Sequence, residues 1–171
     1  MAFKNVILRP YQEKLIPELR QAFQKNDRVF FQLPTGGGKT VIISQITKTA
    51  YDRNFRVWFV VPRNELLNQT KDHFFIWNIP FSTIEAGKNE SRAFKIHIVS
   101  KDTVLRRIKA DKIKNWPNFI IFDEAHVAID QQKFIIEKAP SNTKFLGISA
   151  TPGRADGRGL SDIYQSIIYG P

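Results

Sequence analysis

Short apolar runs alternate with amphipathic stretches along the 171-residue chain, and this alternation constrains its fold more than any other feature. The runs are four or five residues long and rich in β-branched and aromatic side chains. That composition is typical of strands buried on both faces. The predicted strands are 29–33, 57–61, 96–99, 119–122 and 145–148.

Apolar residues at helical spacing fill the segments between these runs. The predicted helices are 10–25, 39–51, 64–75, 100–108 and 132–138, with Asn64 as the cap of the third. Strands that alternate with helices predict a parallel sheet with right-handed crossovers. We therefore expect one α/β domain over residues 1–171, with a mostly parallel central sheet, helices on both faces, and ligands at the carboxyl ends of the strands.

A glycine-rich segment lies between the first predicted strand and the second predicted helix. It consists of Leu33, Pro34, Thr35, Gly36, Gly37, Gly38, Lys39 and Thr40. The glycines let the backbone turn and direct N–H groups at phosphate, and the helix N-terminus adds partial positive charge. Lys39 is expected to reach the β- and γ-phosphates, and the Thr40 hydroxyl to ligate Mg²⁺. The strict pattern has glycine where this chain has Leu33.

Two adjacent carboxylates follow the fourth predicted strand, in the sequence Asp123-Glu124-Ala125-His126. Hydrolysis of a phosphoanhydride needs an electrostatic clamp and a positioned water. We expect Asp123 to hold Mg²⁺, Glu124 to orient or deprotonate that water, and His126 to sense the γ-phosphate. These roles require the glycine turn and the acidic pair to meet at neighbouring strand ends.

The charge balance favours a polyanionic partner. Lysine and arginine number 26 against 16 aspartate and glutamate, which gives a net charge of +10, and such an excess suits nucleic-acid phosphates. The chain has no cysteine, which excludes disulfides and thiolate metal sites. No apolar stretch of about 18 residues and no apolar signal core is present, so we expect no membrane association and a cytoplasmic or host-cell location.

The glycine-rich segment, the Asp-Glu-Ala-His segment and Ser149-Ala150-Thr151 together resemble motifs I, II and III of superfamily 2 helicases. The three occur in the order and spacing of that family, and the resemblance covers nearly the whole chain. It implies a RecA-like P-loop NTPase domain that uses ATP and Mg²⁺ to act on nucleic acid. It also implies that Ser149, Ala150 and Thr151 couple the state of the γ-phosphate to the nucleic-acid surface.

Further site residues are implied by the same resemblance. The segment with Arg9 and Gln12 is similar to the adenine-reading segment of the family, and an amide can both donate to and accept from adenine. Segments similar to the backbone-contacting motifs include Pro62, Arg63, Ser100 and Thr103. Many members have glutamine where this chain has Asp102, and an acid there disfavours a phosphate contact.

Residues 149–160 are similar to DEAD/DEAH-type helicases of bacteriophages and bacteria, in the DNA-repair and branch-migration branch. The resemblance favours DNA over RNA. It also implies a second RecA-like domain in the full-length protein, which supplies an arginine finger worth about 10³–10⁵ in rate. We expect this chain to be the N-terminal part of such a motor, with weak nucleotide binding and slow hydrolysis by itself.

Three other functions are compatible with parts of the sequence. A double-stranded DNA translocase uses the same domain without separating strands. A degenerate, non-hydrolysing module would only bind nucleic acid or a protein, although Lys39, Thr40, Asp123 and Glu124 are all present. A P-loop kinase or small-molecule transferase would not account for the Asp-Glu-Ala-His and Ser-Ala-Thr segments.

Overall fold

A computed structural model describes residues 3–5, 7–151 and 159–171 of the chain. The strands in this part of the chain are β1 Arg28–Gln32, β2 Val57–Val61, β3 Ser82–Ile84, β4 Ile96–Ser100, β5 Phe119–Asp123, β6 Lys144–Ser149 and β7 Ser166–Tyr169. The helices are α1 Pro10–Lys25, α2 Lys39–Asp52, α3 Leu66–Ile76, α4 Lys101–Lys109 and α5 Ile129–Lys138, with a short 3₁₀ turn at Leu160–Asp162.

The described strands form one sheet in the order β3-β4-β2-β5-β6-β1-β7, and all of their pairings are parallel. Parallel neighbours need crossover connections, and helices supply most of them here. Because every strand runs the same way, the strand ends that precede the functional segments all lie at one edge of the sheet. This confirms the predicted α/β architecture with its parallel sheet.

Both faces of the sheet are buried, which explains the continuous apolar runs. Phe31 packs with residues of α1, α2 and α3 on one face, including Ile42 and Phe74. Phe30 faces the other side and packs with residues of α4 and α5, including Val104. Adjacent strand residues therefore pack in different cores. A polar side chain at either position would be buried without a hydrogen-bond partner and would lower the stability of the fold.

The five predicted strands and the five predicted helices are confirmed, with shifts of a few residues at their ends. The two edge strands, β3 and β7, were not predicted. They have only three and four residues, and most of these are partly exposed at the two edges of the sheet. The prediction that Asn64 caps the third helix is wrong, since α3 begins at Leu66 and Glu65 precedes it without a side-chain cap.

The carboxyl edge of the sheet presents the ends of β4, β2, β5, β6 and β1 in that order. Register places Val61 beside Ser100, and Gln32 beside Ser149. The segments predicted to bind nucleotide therefore lie towards one end of this edge, and those predicted to bind nucleic acid lie towards the other. Within the described residues, no helix has both the length and the apolar character that a membrane span requires.

Candidate nucleotide and nucleic-acid site

The glycine-rich segment forms a tight turn between β1 and α2. Gly36 and Gly38 have φ of +81° and +72°, a left-handed backbone that glycine adopts without strain. Among the described residues, none accepts a hydrogen bond from the backbone N–H groups of Gly36, Gly38, Lys39 and Thr40. These groups lie at the N-terminus of a 14-residue helix, so the turn has the free donors and the partial positive charge that bind an anion.

Space around the turn also requires glycine. A Cβ atom on Gly38 would lie 2.4 Å from Nε2 of Gln12, and one on Gly37 would lie 2.9 Å from Cγ of Leu33. Leu33, where the strict pattern has glycine, is 1% exposed and packs in the core beneath the turn. Its backbone N–H donates to Ser149 O at 2.9 Å, which joins the start of the loop to β6.

The Lys39 ammonium joins the glycine turn to the acidic pair. Its Nζ donates to Asp123 Oδ1 at 2.9 Å and to Glu124 Oε1 at 3.0 Å. Burial by itself lowers the pKa of Lys39, but the attraction of Asp123 and the hydrogen bonds to both carboxylates outweigh it, so the pKa is raised. The structure therefore brings together the three charged side chains that the sequence predicted to share a site.

One detail of the predicted arrangement is corrected. The glycine turn follows β1 and the acidic pair lies at the end of β5, and these strands are not neighbours because β6 lies between them. The Lys39 side chain spans this interval. The intervening strand ends at Ser149, so the third predicted segment lies between the first two.

The acidic pair occupies an unusual backbone conformation. Glu124 has φ of +48°, a left-handed value that is uncommon for a residue with a Cβ atom. Its N–H donates to Asp123 Oδ1 at 3.0 Å, and the N–H of Ala125 donates to Ile148 O at 3.0 Å. Non-glycine residues in this region cost roughly 1–3 kcal/mol and cluster at functional sites. The turn directs both carboxylates towards one cation.

His126 connects the acidic pair to β6. Its Nδ1 lies 2.5 Å from Ser149 Oγ and 3.4 Å from Glu124 Oε2. Ser149 Oγ also accepts a hydrogen bond from Thr151 N at 3.1 Å, and Ala150 O accepts one from Gln32 Nε2 at 3.2 Å. This chain of contacts links the predicted coupling residues to the carboxylate that is predicted to activate water.

Gln12 lies beside the glycine turn but is already bonded within the protein. It is 1% exposed, its Oε1 accepts a hydrogen bond from Arg9 N at 2.9 Å, and its Nε2 lies 3.4 Å from Gly37 O. Adenine recognition by Arg9 and Gln12 stays a prediction. Sequence reasoning missed Tyr11, whose hydroxyl donates to Gly37 O at 2.6 Å.

The predicted phosphate contacts differ in accessibility. Pro62 and Arg63 follow β2, and Arg63 is exposed. Ser100 and Thr103 are 0% and 5% exposed, and their side chains bond to each other at 3.0 Å where Ser100 caps α4. Their contact with nucleic acid stays a prediction that would require these hydroxyls to exchange partners. The pKa of Lys101 is lowered, mainly by burial and also by the nearby charge of Arg63, while Asp102 acts in the opposite direction. The sequence had not singled out this lysine.

A buried pair of polar side chains supports the acidic turn from behind. Gln132 Nε2 donates to Ala125 O and Val127 O, each at 2.9 Å, and its Oε1 accepts from the Tyr164 hydroxyl at 2.8 Å. The Tyr164 hydroxyl would lie 2.4 Å from a Cβ on Gly147. No sequence motif indicated this support, because Gln132 and Tyr164 meet only in the folded chain.

Residues 152–158 of the predicted family-specific segment 149–160 lie outside the described residues.

Comparison with known proteins gives a family for this arrangement. The family described as "Type III restriction enzyme, res subunit" matches residues 5–154. The chain belongs to this family. It is a RecA-like domain of superfamily 2, and the match includes the glycine turn, the acidic pair and the Ser-Ala-Thr segment.

Two individual proteins are similar to most of this chain. A 51.5 kDa protein of a Lactococcus phage is 35% identical over 144 residues, covering 81% of this chain and 27% of the relative. The DNA 3'-5' translocase XPB2 of Sulfurisphaera tokodaii is 29% identical over 167 residues, covering 98% of this chain and 35% of that protein. The chain thus spans about a third or less of the length of these relatives.

A solved structure confirms the fold. The crystal structure of the Hef helicase domain of Pyrococcus furiosus matches with a TM-score of 0.72 at 22% identity, covering 95% of this chain and 37% of that one. At this identity the likeness extends to the fold alone. It confirms the RecA-like architecture, with its parallel sheet and helices on both faces.

The residues of this res-family domain fit a magnesium nucleotide. Four free N–H groups and the Lys39 ammonium suit phosphate oxygens, and the Thr40 hydroxyl has no hydrogen-bond partner among the described residues. Magnesium usually takes one or two protein ligands together with substrate phosphates and water. Thr40 at the start of α2 and Asp123 at the end of β5 have side-chain oxygens of the kind that magnesium takes.

The alkaline stability of the domain tests the Lys39 ion pairs. Because the folded pKa of Lys39 is raised, its stabilisation is fully present below the ordinary lysine pKa of about 10.4 and is lost as pH rises through the folded pKa. We expect Lys39→Met to lower the free energy of unfolding by about 1–3 kcal/mol at pH 7. This deficit should shrink above about pH 10.4 in urea denaturation.

Lys14→Met is the matched control, since Lys14 is an exposed residue of α1 with no ion pair among the described residues. It removes one positive charge without touching the acidic pair. A Lys39→Met deficit that is absent at pH 7, or that grows as pH rises above 10, would show that the ion pairs do not stabilise the fold.

Proposed function

We propose that this chain is the ATP-binding and ATP-hydrolysing domain of a DNA helicase, active with a second RecA-like domain of the same protein. The observation that carries the proposal is the Lys39 ammonium, held between Asp123 and Glu124 beside free N–H groups of the glycine turn. A triphosphate bound at the turn would take up the Lys39 charge. Asp123 and Glu124 would then be released for Mg²⁺ and for water.

Each carboxylate has a distinct part in this proposal. Asp123, together with Thr40, would hold Mg²⁺, which supplies charge neutralisation at the phosphates. Glu124 would orient the attacking water and accept its proton, the role of a positioned base in phosphoryl transfer. The left-handed backbone at Glu124 lets both carboxylates of this adjacent pair reach the same ammonium group. Gln132 supports this geometry through its bonds to Ala125 O and Val127 O.

Communication with nucleic acid would use the end of β6. Ser149 contacts both His126 and Thr151, so a change at Glu124 alters the partners available to these short polar side chains. Such side chains can exchange hydrogen bonds at small cost. Arg63 and its neighbours at the ends of β2 and β4 would grip the phosphate backbone and would not read bases. Contacts of this kind fit a motor that moves along any sequence.

DNA is the proposed polymer. The family description is that of a restriction enzyme subunit, and one relative is named a DNA translocase. The net charge of +10 suits a phosphate backbone of either kind of nucleic acid. The phage relative supports a host-cell cytoplasmic location.

Two substitutions separate binding from hydrolysis. We expect Lys39→Ala to weaken ATP binding at least about tenfold, because a hydrogen bond to a charged group contributes about 1.5–3 kcal/mol. Glu124→Gln should leave affinity within about twofold and lower single-turnover hydrolysis about 10²–10⁴-fold. Titration with a fluorescent ATP analogue and quench-flow assays measure these effects. Unchanged affinity in Lys39→Ala, with Lys14→Ala as control, would favour a module that does not use nucleotide.

The chain alone should be a slow enzyme. If a second domain supplies an arginine finger, steady-state turnover of the 171-residue chain with single-stranded DNA should be about 10³–10⁵-fold below that of the full-length protein. A coupled phosphate-release assay on both proteins measures this difference. Brisk, DNA-stimulated turnover by this chain alone would contradict the proposed division of labour.

A double-stranded DNA translocase is the alternative, and the name of the archaeal relative favours it. We expect the full-length protein to displace a labelled strand from a partial duplex in an ATP-dependent reaction that Lys39→Ala abolishes. Displacement of a triplex-forming strand without separation of the duplex would identify a translocase instead. Gel assays of the two substrates, under one buffer condition, distinguish these outcomes.

A further inference from the structure

A basic surface extends along α4 on the side of the domain away from the glycine turn. We call it the α4 flank and define it as Lys88, Arg92, Arg106, Arg107, Lys112 and Lys114. Two adjoining hollows of about 700 and 520 Å³ lie along it, and both are lined by Asn89, Arg107, Lys112 and Lys114. Shared walls make the two hollows one continuous depression.

Positive charge dominates this depression. Seven basic side chains line it, the flank residues and Arg56, against two acidic ones, Glu90 and Asp111. Lys88 is paired with Glu85 at 2.7 Å. Within the described part of the chain, Arg92, Arg106, Lys112 and Lys114 are exposed and have no carboxylate within ion-pair distance. These four unpaired cations line one depression, so they repel one another and an anion bound there would relieve that repulsion.

The walls of the depression are held in place by specific contacts. Arg107 donates to the backbone oxygens of Glu85 and Lys88, at 3.0 and 2.5 Å, and so fixes the turn after β3. Glu90 Oε1 accepts from Trp58 Nε1 at 3.3 Å, and a ring nitrogen of His97 lies 2.9 Å from Ser91 O. The loop between β3 and β4 is therefore anchored to the buried sheet. A fixed surface loses little conformational entropy when it binds a ligand.

The flank begins where the nucleic-acid residues are predicted. Thr103 lines the hollow of about 520 Å³ beside Gly87 and Lys88. The turn at 85–88 follows β3 at the carboxyl edge of the sheet. Helix α4 has nine residues, or about 14 Å, and runs from this edge towards Lys112 and Lys114, which line both hollows. A chain of phosphates that passes Arg63 at the carboxyl edge would then reach Lys88 and Arg106 of the flank.

We propose that the α4 flank is a second contact surface for the phosphate backbone of nucleic acid, and that it extends the grip of the motor beyond the carboxyl edge. The proposal rests on the proposed function, because it names a further part of the same polymer's path. The flank presents cations and amides, so it would bind phosphates without reading sequence. It would increase the affinity and its salt dependence, and leave the chemistry at Glu124 unchanged.

An acidic protein is the other polyanion that such a surface attracts. Stable protein interfaces have an apolar and aromatic centre with a polar rim. The depression has Phe94 as its one exposed large apolar side chain among the described lining residues. Its centre is formed by Arg107, Lys112 and Lys114. These observations favour a phosphate backbone over a folded protein.

A charge-removal variant with a matched control tests the proposal. In the flank variant, Arg92, Arg106, Lys112 and Lys114 are changed to Gln. In the control variant, two exposed arginines and two exposed lysines elsewhere are changed to Gln: Lys14, Arg20, Lys25 and Arg53. Both variants lose four positive charges, so a difference between them reports position and not net charge.

Binding of a labelled 20-nucleotide single strand and of its duplex is measured by anisotropy at several salt concentrations. We expect the flank variant to bind at least about tenfold more weakly than the control variant at 50 mM salt. The slope of log K plotted against log salt concentration should be smaller in magnitude by about 2–3 for the flank variant, since each lost phosphate contact on a single strand contributes about 0.7. The polymer with the larger difference identifies which form occupies the flank.

Lysine acetylation of the unmodified chain gives a second measurement that does not depend on the folding of a variant. Saturating DNA should slow acetylation of Lys112 and Lys114 several-fold relative to that of Lys14 and Lys25. Equal protection of the two lysine pairs would overturn the proposal while DNA binding at the carboxyl edge stands, and so would flank and control variants with the same affinity and salt dependence.

Failure of the chain to bind any DNA would overturn the flank proposal and DNA binding at the carboxyl edge together. Stronger competition by polyglutamate than by DNA of equal charge would identify an acidic protein as the partner and overturn the proposal.

Discussion

The Lys39 ammonium is the charge on which the arrangement of the site depends. It joins a turn after β1 to an acidic pair after β5, across the end of β6. Without a cation between them, Asp123 and Glu124 would repel each other on a backbone that is already left-handed at Glu124. The lysine thus holds the carboxylates in position, and a bound phosphate would compete for the same charge. Exchange of partners at Lys39 is therefore the event through which a nucleotide would alter the rest of the site.

Around this charge, the domain has a rigid side and a side that can exchange hydrogen bonds. Gln132 and Tyr164 are buried and bonded to each other and to the acidic turn, which fixes the backbone behind it. Ser149 and Thr151 lie on the other side with several partners within reach. A change at Glu124 is thus expected to pass towards β6 and not into the core, because the core side has no spare space.

Much of the candidate site was predictable because its residues are local in sequence. The turn before α2 needs glycine at positions 36 and 38, because other residues adopt such positive φ angles only at a cost. Asp123 follows a short apolar run rich in β-branched and aromatic residues, which is typical of a buried strand, so its place at a strand end could be predicted. The edge strands β3 and β7 carry a weaker signal, because they have only three and four residues and most of these are not fully buried.

The sequence by itself determined the alternation of strands and helices, the parallel sheet, and the identity of the charged groups that meet at its edge. Only the tertiary structure decided that β6 separates the glycine turn from the acidic pair, that Ser100 and Thr103 bond to each other, and that Tyr11 and Gln132 support the two turns. It also decided that cations from four segments line one depression along α4. The reason is physical: local patterns fix backbone conformation, whereas strand order and side-chain partners depend on packing between segments far apart in the chain.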